Sequence, residues 1–194
     1  FTERKPVSAV QKTWTAVTTE GRNYVISKKF PRPDYSVNEK YNQVKRIWQY
    51  SSDANIISTP AVADGKVFVG NQNGLMTCFS IKDGKPLWKF KTAGAVFSSP
   101  AVANGKIVFG SGDGNVYCLD LKKGKLEWKY KAGASVLGSP VINGDTIFIG
   151  GSDHAFVALN SRNGKLIWKF SGLDGPVVST PLLYDGKVIF GAWD

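Results

Sequence analysis

Aspartates are the side chains in this 194-residue sequence whose type first suggests chemistry. Carboxylates grouped around glycines are typical of calcium sites, and paired carboxylates also act as a general acid and base. The candidates are Asp113, Asp120, Asp145 and Asp153. All but Asp120 fall in glycine-rich turn sequences, where an aspartate usually hydrogen-bonds its own backbone. We therefore expect turn residues here, and not a cation site or an acid–base pair.

The single histidine and the two cysteines offer little for metal or nucleophilic chemistry. His154 has no cysteine or second histidine nearby in the sequence, so we expect a surface residue in a turn. Cys78 and Cys118 stand 40 residues apart, which places them at equivalent positions of successive repeats. A small buried thiol at each position is the expectation, with a disulfide or a metal-binding pair as the alternative.

Hydroxyl side chains recur before four prolines of the chain. They would line a central channel or its mouth as a polar ring, where they could meet a ligand. Satisfying local backbone groups is the favoured interpretation of their role. The candidates are Ser58, Thr59, Ser98, Ser99, Ser139, Ser179 and Thr180.

A period of 40 residues positions all of these candidates. Four tryptophans mark it, and glycines and prolines keep nearly the same spacing in the same phase. The tryptophans are Trp48, Trp88, Trp128 and Trp168; the prolines are Pro60, Pro100, Pro140 and Pro181; two glycine series are Gly70, Gly110, Gly150 and Gly191, and Gly84, Gly124 and Gly164. Several residue types locked to one period indicate a repeat architecture.

Within a repeat the pattern predicts four antiparallel strands joined by tight turns. Short runs of β-branched and aromatic residues end in glycine, as in residues 66–70 and 106–110, and Asp-Gly or Asn-Gly pairs precede most of them. Proline cannot donate a ladder hydrogen bond, so the proline-bearing first strand should lie at a sheet edge. We expect these first strands at residues 57–63, 97–103, 137–142 and 178–183.

A four-stranded sheet repeated every 40 residues predicts an all-β fold built of β-propeller blades. A helical solenoid of similar period is excluded because no segment has apolar residues spaced three and four apart. We expect blades over residues 48–194, with repeats at 48–88, 88–128 and 128–168 and a partial repeat at 168–194. This segment holds about 3.7 repeats, whereas propellers typically close with 4–8 blades. We therefore expect a fragment of a larger ring, whose open sheet face favours self-association.

The repeat also resembles the motif of the pyrroloquinoline-quinone-type (PQQ-like) propellers, A-x-D-x-x-T-G-K-x-x-W. The copies are residues 78–88, 118–128 and 158–168, in which cysteine twice replaces the alanine and another residue replaces the threonine. The resemblance implies that the tryptophan packs between neighbouring blades, often against a glycine-bearing peptide. We assign this packing role to Trp48, Trp88, Trp128 and Trp168 with Gly84, Gly124 and Gly164.

Membership of such a family does not by itself imply a cofactor. Quinone-dependent dehydrogenases of the family hold the quinone with a vicinal disulfide, a calcium site and a catalytic aspartate. This sequence has no Cys-Cys pair, so we expect no PQQ and no other cofactor or metal. PQQ-like propellers often work in the periplasm, and the resemblance therefore implies an extracytoplasmic location.

Residues 1–47 lack the period and hold more than half of the net positive charge. They contain 10 of the 25 Lys and Arg residues but only 4 of the 15 acidic ones. A hairpin is expected from the β-prone residues 7–17 and 24–27, followed by an extended connector at residues 28–35. The basic cluster Lys28, Lys29 and Arg32 is interpreted as a solvated linker.

Residues 26–38 resemble the junction between a calcineurin-like metallophosphoesterase and a PQQ-like propeller in bacterial fusion proteins. The resemblance implies that residues 1 to about 27 form the tail of an upstream phosphoesterase region. The Asp, His and Asn motifs that bind the two metals of that family are not in this sequence, so no metal site is assigned.

The leading hypothesis is a non-catalytic scaffold or binding module of a larger protein. Its partner would be a protein or an extended ligand at a propeller face. The alternative is the accessory region of a metallophosphoesterase, which leaves open whether the parent protein is an enzyme. Within the repeats the lysines recur in turns and outer strands, where lysine commonly serves solubility and edge protection, so we expect no nucleic-acid binding despite the net charge of +10. No apolar run approaches the roughly 20 residues of a transmembrane segment.

Overall fold

The structure is a computed structural model that describes residues 12–17, 23–30 and 46–193. Contacts divide the chain into two units, Phe1–Arg46 and Ile47–Asp194. In the first unit, β1 (Lys12–Val17) pairs antiparallel with β2 (Asn23–Phe30). Strand β2 continues three residues beyond the expected end at Ser27. Most of the expected connector, from Pro31 onward, lies outside the described residues.

Three four-stranded antiparallel sheets follow one another in the second unit. Blade 1 contains β3 (Ala61–Ala63), β4 (Lys66–Gly70), β5 (Leu75–Ser80) and β6 (Pro86–Lys91). Blade 2 contains β7 (Ala101–Ala103), β8 (Lys106–Gly110), β9 (Asn115–Asp120) and β10 (Leu126–Lys131). Blade 3 contains β11 (Val141–Asn143), β12 (Thr146–Gly150), β13 (Phe156–Asn160) and β14 (Leu166–Phe170). In each sheet the strands lie in chain order.

A two-stranded sheet ends the described chain and corresponds to the first half of a blade. It consists of β15 (Leu182–Tyr184) and β16 (Lys187–Ile189), and we call it half-blade 4. The all-β prediction of four-stranded propeller blades is therefore confirmed. No helix in the described part of the chain is long and apolar enough to cross a membrane.

The first strand of each blade is shorter than the sequence suggests. It was expected to include the proline, but β3, β7, β11 and β15 all begin after Pro60, Pro100, Pro140 and Pro181. Proline has no N–H to donate and restricts the residue before it, so the ladder begins only past the ring. The expected position at the sheet edge is confirmed, since each of these strands pairs with a single neighbour among the described strands.

Two-residue hairpins connect the first two strands of each blade. In blades 1 and 2 both turn residues have positive φ, for example Asp64 (48°) and Gly65 (68°), which is the type I′ pattern. In blade 3 the register pairs Asn143 with Thr146, and in that hairpin Gly144 alone has positive φ, at 56°. Glycine at the first turn position is the type II′ pattern, which accounts for the one-residue shift of the turn sequence in this repeat.

The hydrophobic core lies between blades and repeats with them. Each cluster combines the second and third strands of one blade with those of the next. Between blades 1 and 2 the cluster contains Phe68, Met76, Cys78, Val96, Ile107, Phe109, Tyr117, Leu119 and Leu121. Between blades 2 and 3 the members are Val108, Val116, Cys118, Trp128, Val136, Ile147, Ile149, Val157 and Leu159. The apolar runs of the sequence are buried because a blade is covered on both faces.

Candidate functional site

Three tryptophans each lie on the glycine turn of the blade that follows them in the chain. Trp88 and Trp128 stand on the outer strands of blades 1 and 2, and Trp48 precedes blade 1. The glycine belongs in each case to the turn between the third and fourth strands. A β-carbon built on Gly84 would lie 2.6 Å from Trp48, and one on Gly124 would lie 2.5 Å from Trp88. A β-carbon built on Gly164 would lie 2.5 Å from Trp128. These glycines have φ near +65°, so both the conformation and the contact favour glycine.

The same three indoles are held by a hydrogen bond that also repeats. Each Nε1–H donates to a backbone carbonyl 33 residues further along the chain. The acceptors are Ile81 O for Trp48 at 2.8 Å, Leu121 O for Trp88 at 3.1 Å, and Ser161 O for Trp128 at 3.0 Å. A buried tryptophan needs such an acceptor, so contact and hydrogen bond together fix the distance between blades.

Trp168 differs from the other tryptophans in its surroundings. Its side chain is 40% exposed, whereas Trp128 is 8% exposed. It contacts Phe148 and Phe156 of its own blade, and its Nε1–H has no acceptor among residues 46–193. The structure thus brings three of the four predicted tryptophans onto a glycine, while the indole of Trp168 remains open.

A second contact between blades was not anticipated from the sequence. Val96, Val136 and Val177 precede the first strand of a blade and cover the glycine that ends the second strand of the blade before. A β-carbon on Gly70, Gly110 or Gly150 would collide with these valines. The valine N–H groups also donate to the preceding blade, as from Val96 to Asn71 O at 3.0 Å. Their spacing of 40 and 41 residues is visible in the sequence and could have identified them.

The predicted serine and threonine row forms hydrogen bonds between and within blades. Ser99 Oγ accepts from the Thr59 N–H at 2.8 Å, and Ser139 Oγ accepts from the Ser99 N–H at 2.9 Å. Ser58 Oγ donates to Gly70 O, and Ser179 Oγ to Gly191 O. These hydroxyls therefore bond backbone groups, two of them within a blade and two of them in the neighbouring blade.

Three positions of the row depart from this pattern. Ser98 is fully buried, and its Oγ has no partner among the described residues. Thr180 is exposed, with no hydrogen bond to the other described residues. In the third repeat glycine replaces the first serine, since a β-carbon on Gly138 would lie 2.7 Å from Gly150 O.

Asp113 is a bridge between blades 1 and 2 and not an isolated turn residue. Its Oδ2 accepts from the Ala93 N–H at 3.0 Å and from the Tyr117 hydroxyl at 2.7 Å. Its Oδ1 accepts from the backbone and side-chain N–H groups of Asn115. Burial acts to raise the pKa of Asp113, but the hydrogen bonds from Tyr117, Asn115 and Ala93 outweigh it and lower the pKa. Burial and the bond to Asp113 raise the pKa of Tyr117 to about 12.

The remaining candidate acids have separate structural partners. Asp153 Oδ2 accepts from the Gly133 N–H at 3.1 Å and from Lys169 Nζ at 3.2 Å. Asp145 forms an exposed ion pair with Arg162, and Asp120 accepts from the Lys123 N–H. His154 is exposed in a turn with φ of 55°. Among the residues described, no three His, Cys, Asp or Glu side chains are grouped so that they could hold a metal ion.

The two cysteines are buried thiols. Cys78 and Cys118 are fully buried and unbonded to each other. Burial raises the pKa of each thiol to about 11, partly opposed by Lys66 at Cys78 and Lys106 at Cys118. Both thiols are therefore neutral near pH 7 and have no nucleophilic character.

The stacked four-stranded sheets, with their tryptophan and glycine contacts, define a protein of the β-propeller class. Residues 37–171 and 137–194 match the family described as outer membrane protein assembly factor BamB. The matches cover most of the chain, and the chain belongs to this family. It is a PQQ-like propeller repeat protein, as its sequence motif suggested. No curated protein matches the chain significantly.

Solved structures share the fold at low sequence identity. BamB from Moraxella catarrhalis is 22% identical with a TM-score of 0.69, over 76% of this chain and 47% of that one. The computationally designed Ika4 protein is 17% identical with a TM-score of 0.70, over 78% and 94%. A quinohemoprotein alcohol dehydrogenase from Pseudomonas putida HK5 is 23% identical with a TM-score of 0.56, over 63% and 21%. The chain thus spans about half the length of the Moraxella protein.

Replacing the glycine under an indole should destabilise the propeller more than replacing an open glycine. Gly124→Ala places a methyl group 2.5 Å from Trp88, whereas Gly105 has φ of 71° and nothing within 4 Å of an added β-carbon. Gly105→Ala should cost about 1–2 kcal/mol from positive φ alone. Gly124→Ala should lose about 1–3 kcal/mol more because of the collision. Urea unfolding of both variants measures the difference, and equal losses would contradict the packing role.

Acid should weaken the bridge made by Asp113. Its pKa is lower in the folded protein than in the unfolded chain, so its stabilising effect is present above about pH 4 and lost as pH falls through the folded value. Asp113→Asn should cost about 1–2 kcal/mol at pH 7 and progressively less in acid. Asp145→Asn, which breaks an exposed ion pair, is the matched control and should change stability by under about 1 kcal/mol. Denaturant unfolding at pH 7 and in acid provides both comparisons.

Proposed function

We propose that this chain is a non-catalytic scaffold and binding module, and that it binds a protein partner through one face of the propeller. The observation that carries the proposal is a basic repeat on one face. The second and fifth residues of each turn between third and fourth strands are basic and exposed. They are Lys82 and Lys85 in blade 1, Lys122 and Lys125 in blade 2, and Arg162 and Lys165 in blade 3.

These basic turns share a face with the first hairpin turns of the blades. Backbone bonds join the two sets, from Leu121 N to Gly105 O in blade 2 and from Ser161 N to Asp145 O in blade 3. Residues 121–125 hold three lysines and no acidic residue. A partner with an acidic surface is complementary to this face, and opposite charge speeds encounter and selects the partner.

The candidate aspartates and serines of the blades form structural hydrogen bonds, which supports a non-catalytic role. Asp113 and Asp153 reach to the preceding blade, and Ser99 and Ser139 accept from backbone N–H groups. Their hydrogen bonds therefore serve the blade contacts. The family description, an outer membrane protein assembly factor, supports an extracytoplasmic location and assembly with other proteins.

Charge reversal on the basic face should remove binding. We expect Lys122→Glu with Lys125→Glu to reduce capture of acidic proteins from a periplasmic extract at least tenfold, and capture by the natural chain to fall with added salt. Lys89→Glu with Lys129→Glu makes the same charge change on exposed outer-strand positions and is the matched control. Quantitative mass spectrometry of the captured proteins is the measurement. Equal capture by the two double variants would contradict the proposed face.

The alternative is an accessory region of a calcineurin-like metallophosphoesterase. It rests on the resemblance of residues 26–38 to the junction in fusion proteins of that kind. In this alternative the catalytic domain lies outside residues 1–194. Sequencing the coding region upstream tests it, and an upstream region without Asp and His metal motifs would remove it.

We propose further that the chain works without PQQ or another cofactor. The thiols that could resemble a quinone-clamping pair belong to different blades, and both are buried. Reconstitution with PQQ and calcium should therefore leave the protein without quinone absorbance after dialysis. A retained quinone spectrum in a one-to-one ratio would overturn this part of the proposal.

A further inference from the structure

The basic turn of blade 2 differs from its counterparts in blades 1 and 3 because its charges have no carboxylate partner. Lys122, Lys123 and Lys125 are exposed, and none of them forms an ion pair within the described part of the chain. We call these three residues the lysine triad. The middle position of the turn is basic in blade 2 alone of the three full blades, since Asp83 and Asn163 stand at the equivalent positions.

The other two basic turns are partly neutralised within their own blades. Lys85 Nζ lies 3.5 Å from Asp83 Oδ2. In blade 3 the guanidinium of Arg162 donates to both carboxylate oxygens of Asp145, at 3.2 Å from Nε and at 2.6 Å from Nη2. The corresponding hairpin turn of blade 2 is the uncharged Asn-Gly pair at residues 104–105. The uncompensated positive charge of this face is therefore concentrated at blade 2.

The backbone under the lysine triad is fixed and has few free donors. Trp88 Nε1–H donates to Leu121 O at 3.1 Å, and the indole covers Gly124. The Lys123 N–H donates to Asp120 Oδ1 at 2.6 Å, and the Gly124 N–H donates to Asp120 O at 2.9 Å. Phosphate groups are usually bound where several free backbone N–H groups converge. Three flexible ammonium groups on a rigid turn instead suit several spaced carboxylates, because each lysine can reach a separate one.

We infer that the lysine triad is the point at which an acidic segment of the partner protein docks, and that Asp145 restricts the site by neutralising Arg162. This inference rests on the proposed function, in which a protein with an acidic surface binds this face. It adds which blade carries most of the binding and which residue limits the site to that blade. The occupant is a protein segment with several aspartate or glutamate side chains, and added salt weakens its binding.

A fluorescent peptide of about ten glutamates is the probe, and anisotropy measures its affinity for the 194-residue chain. Lys123→Asp gives residues 122–125 the sequence Lys-Asp-Gly-Lys, which already forms this turn at residues 82–85 of blade 1. We expect this variant to bind the peptide at least about threefold more weakly, the effect of one or more exposed ion pairs. Lys129→Glu makes the same charge change at an exposed position on the outer strand of blade 2 and is the control with little effect.

Removing the neutralising carboxylate in blade 3 should strengthen binding. Asp145→Asn frees the guanidinium of Arg162 and should raise the affinity for the peptide about twofold or more. Asp64→Asn is the matched control, because it removes one negative charge from the hairpin turn of blade 1 and yields the Asn-Gly pair that blade 2 already has. Asp64 forms no ion pair with the other described residues, so its substitution frees no basic side chain and should raise the affinity less.

Several results would overturn the inference. They are no binding of the peptide at low salt, equal affinities of the natural chain and Lys123→Asp, and equal effects of Asp145→Asn and Asp64→Asn. Tripolyphosphate that competes better than an equal concentration of unlabelled peptide would also overturn it, because the ligand would then be a phosphate.

The proposed function fails on a different result. If the natural chain captures no acidic protein from a periplasmic extract, the proposed function is contradicted. If capture occurs and falls equally with Lys123→Asp and with Lys129→Glu, the proposed function stands and the docking point at the lysine triad is overturned.

Discussion

The close approach of an indole to a glycine backbone is the contact on which the spacing of the blades depends. A tryptophan ring is wide and flat and lies flush against a neighbouring strand turn only where no β-carbon intervenes, as at Gly124 and Gly164. The indole N–H then donates a hydrogen bond to a carbonyl at 2.8–3.1 Å. This bond fixes the orientation of the ring plane as well as the distance between the ring and the turn. Because the ring also covers apolar side chains, one residue contributes burial, a hydrogen bond and a distance constraint at each joint.

A second joint at the inner side of each blade makes the stack rigid. Val96, Val136 and Val177 lie on glycines, and their N–H groups donate to the blade before. Because the tryptophan contact and the valine contact lie at opposite ends of the sheets, a blade cannot rotate about one contact without breaking the other. Hydrogen bonds between blades also fix their orientation, since Asp113 and Asp153 accept hydrogen bonds from loop N–H groups of the preceding blade. Most of the candidate polar side chains therefore serve the contacts between blades.

The sequence predicted the parts of the fold that depend on periodic residue types, and it missed those that depend on contact. Trp88, Gly124 and the Asp-Gly turns follow the period. Each of these residue types is required by one structural feature, either a contact between blades or a turn with positive φ. The predicted start of the first strands was wrong, because a proline just before a strand and a proline within an edge strand give the same sequence pattern. The Val96 contact was missed because valine is common in any strand. The hydrogen bond from the Ala93 N–H to Asp113 was not predicted either. The turn sequence already accounts for an aspartate at this position without any contact to the neighbouring blade.

Because blades contact only their neighbours, the free energy of such a stack is close to a sum of blade and joint terms. Each tryptophan contact adds burial and a hydrogen bond to the joint between two blades. Half-blade 4 is joined to blade 3 through Val177 and through Phe190, whose ring stacks on Phe156 at 4.1 Å. These two contacts hold β15 and β16 against blade 3.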